Sequence, residues 1–269
     1  MIGRTRRASA LLALAACVGA LTGCGADGAE PAGSATVVRV AAAADLKFAL
    51  DEVVDAAEDQ DPSLEVSVTY GSSGTFLQQI QNGAPFDLYL SADLAYPREL
   101  VDAGAAEERD LFRYAVGRLV LWMPDGSPVD PRDGLGVLES EEIDTVSIAN
   151  PDHAPYGVAA VAALRDAGVY DAVRPKLVLG ENVAQAAEFV QSGNADAAIV
   201  AKSLVLSDPL RDVGTWYELP LDGYPRLDQG GVVLAGASDP AAARELRDVL
   251  LGEVGTEVLA RYGFTLPED

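Results

Sequence analysis

Four places in the chain set small, hydroxyl-bearing or amide-bearing residues where an extended run hands over to an amphipathic one. They are Ala44-Asp45, Gly71-Ser72-Ser73-Gly74-Thr75, Pro155-Tyr156-Gly157 and Asn182-Val183. The first N–H groups of a helix lack an intrahelical acceptor and carry partial positive charge, so such junctions can hold an anion with no cation present. Ser, Thr, Asp and Asn also cap helices, and any one junction taken alone reads more simply as a well-capped start. Four in one chain favour the anion. Ser72 is then either a second ligand or only a cap. Asp45 is expected to cap, its carboxylate turned back onto the N–H of residue 47 or 48 and only its own N–H facing a ligand. Its competing role is to accept from a ligand oxygen that carries a proton, as phosphate does near neutrality.

Composition removes other chemistries. His153 is the only histidine, and Cys17 and Cys24 are the only cysteines, so a His/Cys metal cage is excluded. No Asp-rich loop has EF-hand spacing. Acidic residues number 42 against 19 basic, for a formal net charge of −23, which makes nucleic acid a poor partner. A surface serine hydrolase built on Ser73 and His153 is the competing function. Thr75 stands where Gly-x-Ser-x-Gly needs its second glycine, and a single histidine would have to serve every proton transfer. A scaffold lipoprotein with an empty cleft is a third reading. His153 reads as shaping its loop rather than meeting an anion.

The chain begins with Arg4, Arg6 and Arg7 followed by an apolar run over residues 8–21, too short to span a bilayer comfortably. Leu21-Thr22-Gly23-Cys24 resembles the lipobox of bacterial lipoproteins, in which cleavage precedes the cysteine and its thiol carries lipid. Residues 1–23 are therefore expected to be a signal peptide. Residues 24–35, rich in Gly, Ala, Pro and Ser, are expected to be a flexible tether. The protein is expected outside the cytoplasm, anchored to the cell membrane through lipid on Cys24.

The elements that must position the four junctions follow from periodicity. Leu64-Glu65-Val66-Ser67-Val68-Thr69-Tyr70 alternates apolar and polar side chains and predicts a strand. Phe76, Leu77 and Ile80 predict the helix after it, stopped by Asn82-Gly83. Further strands are predicted at residues 36–40, 86–90, 118–122, 146–149, 176–179, 197–200 and 230–234, with helices starting near Leu46, Val158 and Val183 and two more after Ala241. Strands alternating with helices predict parallel sheets covered on both faces, with ligands at the carboxyl ends of the strands. The chain is expected to divide into one lobe of residues 36–117 plus 233–269 and a second of residues 118–232.

Taken in order, Ala42-Ala43-Ala44-Asp45-Leu46, Tyr70-Gly71-Ser72-Ser73-Gly74, Gly83-Ala84-Pro85-Phe86-Asp87, Ser91-Ala92-Asp93, the run from Asn150 through Pro155-Tyr156-Gly157, and Gly180-Glu181-Asn182-Val183 resemble the molybdate-binding proteins of ABC importers. That resemblance covers nearly everything from Val37 to Phe264. It implies an α/β, two-lobed periplasmic-binding-protein type II fold, two mixed sheets flanked by helices with a ligand cleft between the lobes. It also implies a non-enzymatic monomer with no cofactor, which captures molybdate or tungstate and delivers it to a membrane permease. Sulfate and phosphate are the alternative cargoes. The contacts it implies to the oxygens of the anion are Ser73 through hydroxyl and N–H, Val183 through N–H, Tyr156 through N–H and hydroxyl, with Asp45 and Ser72 beside them. Some relatives place a binding tyrosine after the strand matching Ile199-Val200, where this chain has Ala201. The first-loop position is usually serine or another neutral polar residue, and here it is Asp45.

Overall fold

Val38, Val40 and Ala42 point to one side of an extended run and Ala41 to the other, the period-two alternation of a strand buried on both faces. This is β1 (Thr36–Ala43), the second strand of the first of two sheets. The structure, a computed structural model, describes residues 36–267. The expected signal peptide, Cys24 and the tether lie outside the described residues.

A single 3-10 turn (Ala44–Leu46) leads from β1 into α1 (Lys47–Gln60). There follow β2 (Leu64–Gly71), α2 (Ser73–Gln81), β3 (Leu88–Ser91), α3 (Ala95–Asp102), β4 (Ala106–Gly117) and β5 (Leu119–Pro124). The middle of the chain forms β6 (Val146–Ala149), α4 (Pro155–Asp166), α5 (Tyr170–Val173), β7 (Leu177–Gly180), α6 (Val183–Gln191), β8 (Ala197–Ala201), α7 (Lys202–Val205) and β9 (Gly214–Glu218). Last come β10 (Leu227–Leu234), α8 (Pro240–Leu251) and α9 (Glu253–Arg261).

The first sheet has the order β2-β1-β3-β10-β4 and the second β7-β6-β8-β5-β9. β1 runs parallel to β2 and β3, and β6 parallel to β7 and β8. β10 is antiparallel to β3 and β4, and β5 is antiparallel to β8 and β9. The sheets are therefore mixed, where strand–helix alternation alone predicts parallel ones. The strand that runs against the rest in each sheet is the one that enters it from the other sheet: β5 follows β4 through Arg118 and β10 follows β9, so neither is delivered by a strand–helix–strand crossover within its own sheet. The return to the first sheet also falls earlier than expected. Residues 227–232, assigned from sequence to the second lobe, belong to β10 and pair with β3 and β4. Asp228 and Gln229 interrupt the apolar pattern there and conceal the start of the strand.

Each face of the first sheet has its own core. Leu50 and Val53 of α1, Leu246 of α8 and Leu259 of α9 cover one face. Phe76 and Ile80 of α2 and Leu100 of α3 cover the other. The second sheet is buried between α4 and α6, which contribute Ala160, Leu164, Ala186 and Val190.

Asp87 pins β1 to β3 and to the loop before α8. It accepts from the Arg39 backbone N–H at 2.7 Å, from Arg39 Nε and Nη2, and from the N–H and hydroxyl of Ser238. Burial alone would raise its pKa, but these donors overcome that and hold it down at about 2. The depressed value means that its stabilisation is present above the usual carboxylate range and is lost as the pH falls toward 2. Asp87→Ala strands five donor groups and is expected to cost about 3 kcal/mol of stability at neutral pH, read from urea unfolding. A loss below about 1 kcal/mol would mean that the pin is dispensable.

Candidate oxyanion site

The turn after β1, the start of α2 after β2, the start of α4 after β6 and the start of α6 after β7 converge at carboxyl ends of parallel strands. Ala43, Asp45, Ser73, Ala92, Tyr156 and Val183 are among the residues around a small cavity there, with about 200 Å³ of non-atom space. Among the described residues that line the cavity there is no Lys, Arg or His.

Local sequence sets which donors remain unused. Ser73 opens α2, so its N–H has no intrahelical acceptor. Its hydroxyl accepts from the Ala92 N–H at 3.0 Å, which leaves the hydroxyl proton free to donate. Pro155 opens α4 and has no N–H, so the first donor of that helix belongs to Tyr156. Asn182 caps α6 by accepting from the N–H groups of Ala184 and Gln185, both at 3.0 Å, and leaves the N–H of Val183 over. Ser73, Tyr156 and Val183 are all nearly inaccessible to solvent.

Asp45 departs from expectation. Its carboxylate caps nothing, since neither the 3-10 turn nor α1 carries a side-chain cap. The turn instead directs the carboxylate inward, where it is 1% exposed. Its Oδ2 accepts from Gln229 Nε2 at 2.5 Å and from the Tyr156 hydroxyl at 3.1 Å, while Oδ1 has no protein partner. Its carbonyl accepts from Ser203 Oγ at 2.7 Å. The Tyr156 hydroxyl is thus committed to Asp45. Gly117 admits this arrangement, because a side chain there would collide with the Tyr156 hydroxyl and with Gln229. Gln229 and Ser203 escape sequence reading. Gln229 stands between Asp228 and two glycines, so its type carries no signal in the sequence, and Ser203 offers none.

Burial raises the pKa of Asp45 to about 6, partly offset by the hydrogen bonds from Gln229 and Tyr156. Burial, and then the charge of Asp45, pushes the Tyr156 phenol well above its ordinary value, so that group stays a donor.

Ser72 borders the same cavity but does not take its expected role as a cap. As the residue preceding α2 it makes no side-chain cap, and its hydroxyl donates to the His153 carbonyl at 2.5 Å. His153 Nδ1 lies 2.9 Å from the same hydroxyl. The histidine is therefore paired with Ser72 and not with Ser73, the nucleophile of the hydrolase reading. With its only proton given to the carbonyl, Ser72 Oγ accepts from Nδ1, so this imidazole nitrogen is a donor and not a base.

Two α/β lobes enclosing a donor-lined cavity at their junction define an extracellular-type solute-binding protein. The chain belongs to the bacterial extracellular solute-binding protein family, whose pattern matches residues 38–265. The molybdate-binding protein ModA of Azotobacter vinelandii is 40% identical over 235 residues, 87% of this chain and 92% of that protein. ModA of Rhodobacter capsulatus is 38% identical over 199 residues, 74% of this chain and 77% of that protein. The solved periplasmic molybdate-binding protein of Azotobacter vinelandii shares the fold with a TM-score of 0.80 and 28% identity, covering 86% of this chain and all of that one. Among the described residues no helix is long and apolar enough to cross a membrane, and no three His, Cys, Asp or Glu side chains are grouped to hold a metal ion.

The Asp45 environment makes a pH prediction. A carboxyl whose pKa is raised on folding contributes most below its unfolded value near 3.8, and that contribution is lost as the pH rises through about 6. Asp45→Asn cannot ionise, so its stability relative to wild type should climb between pH 4 and 6.5. The climb should reach at most about 3 kcal/mol, from the cost of roughly two pKa units. Urea unfolding of both proteins across that range reads it. A difference that does not vary with pH would contradict the burial of an ionisable Asp45.

Proposed function

We propose that the protein captures molybdate or tungstate outside the cytoplasm and delivers it, chemically unchanged, to the membrane permease of an ABC importer. The observation that carries this reading is the set of unused donors at Ser73, Tyr156 and Val183 around a cavity that has no Lys, Arg or His among the described residues lining it. The names of the two ModA relatives supply the ligand class. A dianion that is fully deprotonated at neutral pH needs only donors, and buried N–H and O–H groups satisfy its acceptors without a counter-charge. Asp45 fits this ring as the neutral acid. The charge of the anion raises its pKa further, so affinity should weaken as the pH climbs above about 6. The protein acts as a monomer with no resident cofactor, and the oxyanion is its cargo.

Calorimetry on the purified protein should show one site for molybdate and tungstate, with clear preference over sulfate and phosphate. Ser73→Ala should weaken binding by about 1–3 kcal/mol, the range for losing a hydrogen bond to a charged group. Absence of heat with either metal oxyanion, or tighter binding of phosphate, would contradict the reading.

Attachment to the membrane is proposed through lipid on Cys24, from the Leu21-Thr22-Gly23-Cys24 box. Cys24→Ala should abolish incorporation of labelled fatty acid in the producing cell. Equal labelling of mutant and wild type would remove the anchor from the account.

A further inference from the structure

The first turn of α2, in one lobe, also grips the loop before α4 in the other. The His153 carbonyl accepts from Ser72 Oγ at 2.5 Å and from the Gly74 N–H at 2.9 Å. Both lone pairs of that carbonyl are thereby occupied by donors from the opposite lobe. His153 Nδ1 adds a third contact, 2.9 Å from Ser72 Oγ. Ser73, between the two gripping residues, is held differently: its hydroxyl takes the Ala92 N–H and borders the cavity. One helical turn thus does two things: residues 72 and 74 hold the other lobe, while the hydroxyl of residue 73 is left for the cavity, which Ser72 also borders.

The approach requires residue 74 to have no side chain. A Cβ there would lie 2.6 Å from the His153 oxygen and 3.1 Å from its Cα, backbone atoms that cannot rotate aside. Nothing within α2 asks for glycine at this position. Gly74 is not among the glycines with positive φ, and alanine is the better helix former. The glycine serves the contact between lobes.

We propose that Ser72, Gly74 and His153 form an interlobe clasp, made only when the lobes are closed, that sets how long a bound solute is retained. The proposal rests on the solute-binding reading and makes Ser72 and Gly74 positioning residues that need no contact with the solute. The bonds join residues about 80 positions apart in sequence, in lobes connected through Arg118 and residues 219–226. Opening the lobes breaks these bonds together and returns their donors to water.

The test compares wild type, Gly74→Ala and Ser72→Ala by stopped-flow release of molybdate, by hydrogen exchange over residues 72–74 and 150–156, and by melting temperature without ligand. Gly74→Ala should release molybdate roughly tenfold faster or more, the consequence of losing one or more neutral hydrogen bonds. It should also lose exchange protection in both segments, while its unligated melting temperature stays level or rises. Ser72→Ala keeps the Gly74 bond and should show a smaller acceleration. Wild-type release and wild-type protection in Gly74→Ala would overturn the clasp. Should Gly74→Ala fold poorly, Ser72→Ala decides by the same two readouts. If the wild type itself bound no molybdate, the proposed cargo would fail, and the same exchange comparison with sulfate or phosphate bound would judge the clasp: lost protection in Gly74→Ala supports it and unchanged protection overturns it.

Discussion

A buried anion without a counter-charge must meet hydrogen-bond donors on every side, because each acceptor left dry costs free energy. Parallel strands feeding helices answer that demand, since each junction brings unpaired N–H groups to the carboxyl end of a sheet. The chain then uses three local devices to leave one donor free at each helix. Ser73 takes the Ala92 N–H and keeps its proton. Pro155 removes the N–H that would otherwise come first in α4. Asn182 satisfies the N–H groups of residues 184 and 185 and leaves that of Val183. Two sheets in different lobes are needed because a single sheet presents such donors from one side only.

Asp45 is the acid in this arrangement, and its neighbours explain how it is tolerated. Tyr156 on α4 and Gln229 on β10 both donate to Oδ2, and the Tyr114 phenol on β4 is pushed well up by burial and then by the Asp45 charge. Among the described residues no cation pairs with the carboxylate: Lys47 and Lys202 pair with Glu188 and Glu218. Oδ1 of Asp45 and Oε1 of Gln229 are both buried without a protein partner. A proton on Asp45 turns one of those two stranded acceptors into a donor and removes the negative charge from beside the proposed dianion. The same cluster joins the lobes at the hinge, so the state of Asp45 and the closure of the cavity bear on one set of bonds.

Much of this was legible because it rests on short-range rules. The strand over residues 64–70, the stop at Asn82-Gly83 and the helix from Val183 follow from periodicity and capping, and the structure has them within a few residues. The residues brought together around the cavity were readable as strand-to-helix junctions for the same reason. What escaped depends on tertiary contact. β4 carries Glu107, Glu108, Arg109 and Arg113 along a sheet edge, where charge is tolerated and the apolar signal vanishes. The start of β10 hides behind Asp228 and Gln229. Asp45 was read as a cap because Asp prefers that role locally, and the partners that draw it inward come from residues 156, 203 and 229. Local sequence offers Ser72 as a cap or a second ligand, whereas the acceptor of its hydroxyl lies 81 positions away.

The account turns on where the anion sits. Diffraction from crystals grown with molybdate, recorded with anomalous signal from molybdenum, locates it directly. The account predicts one anomalous peak in the interlobe cavity, with its oxygens within hydrogen-bonding distance of the Ser73 hydroxyl and the N–H groups of Tyr156 and Val183. A peak elsewhere on the molecule, or a cavity that stays without one at saturating molybdate, would contradict it.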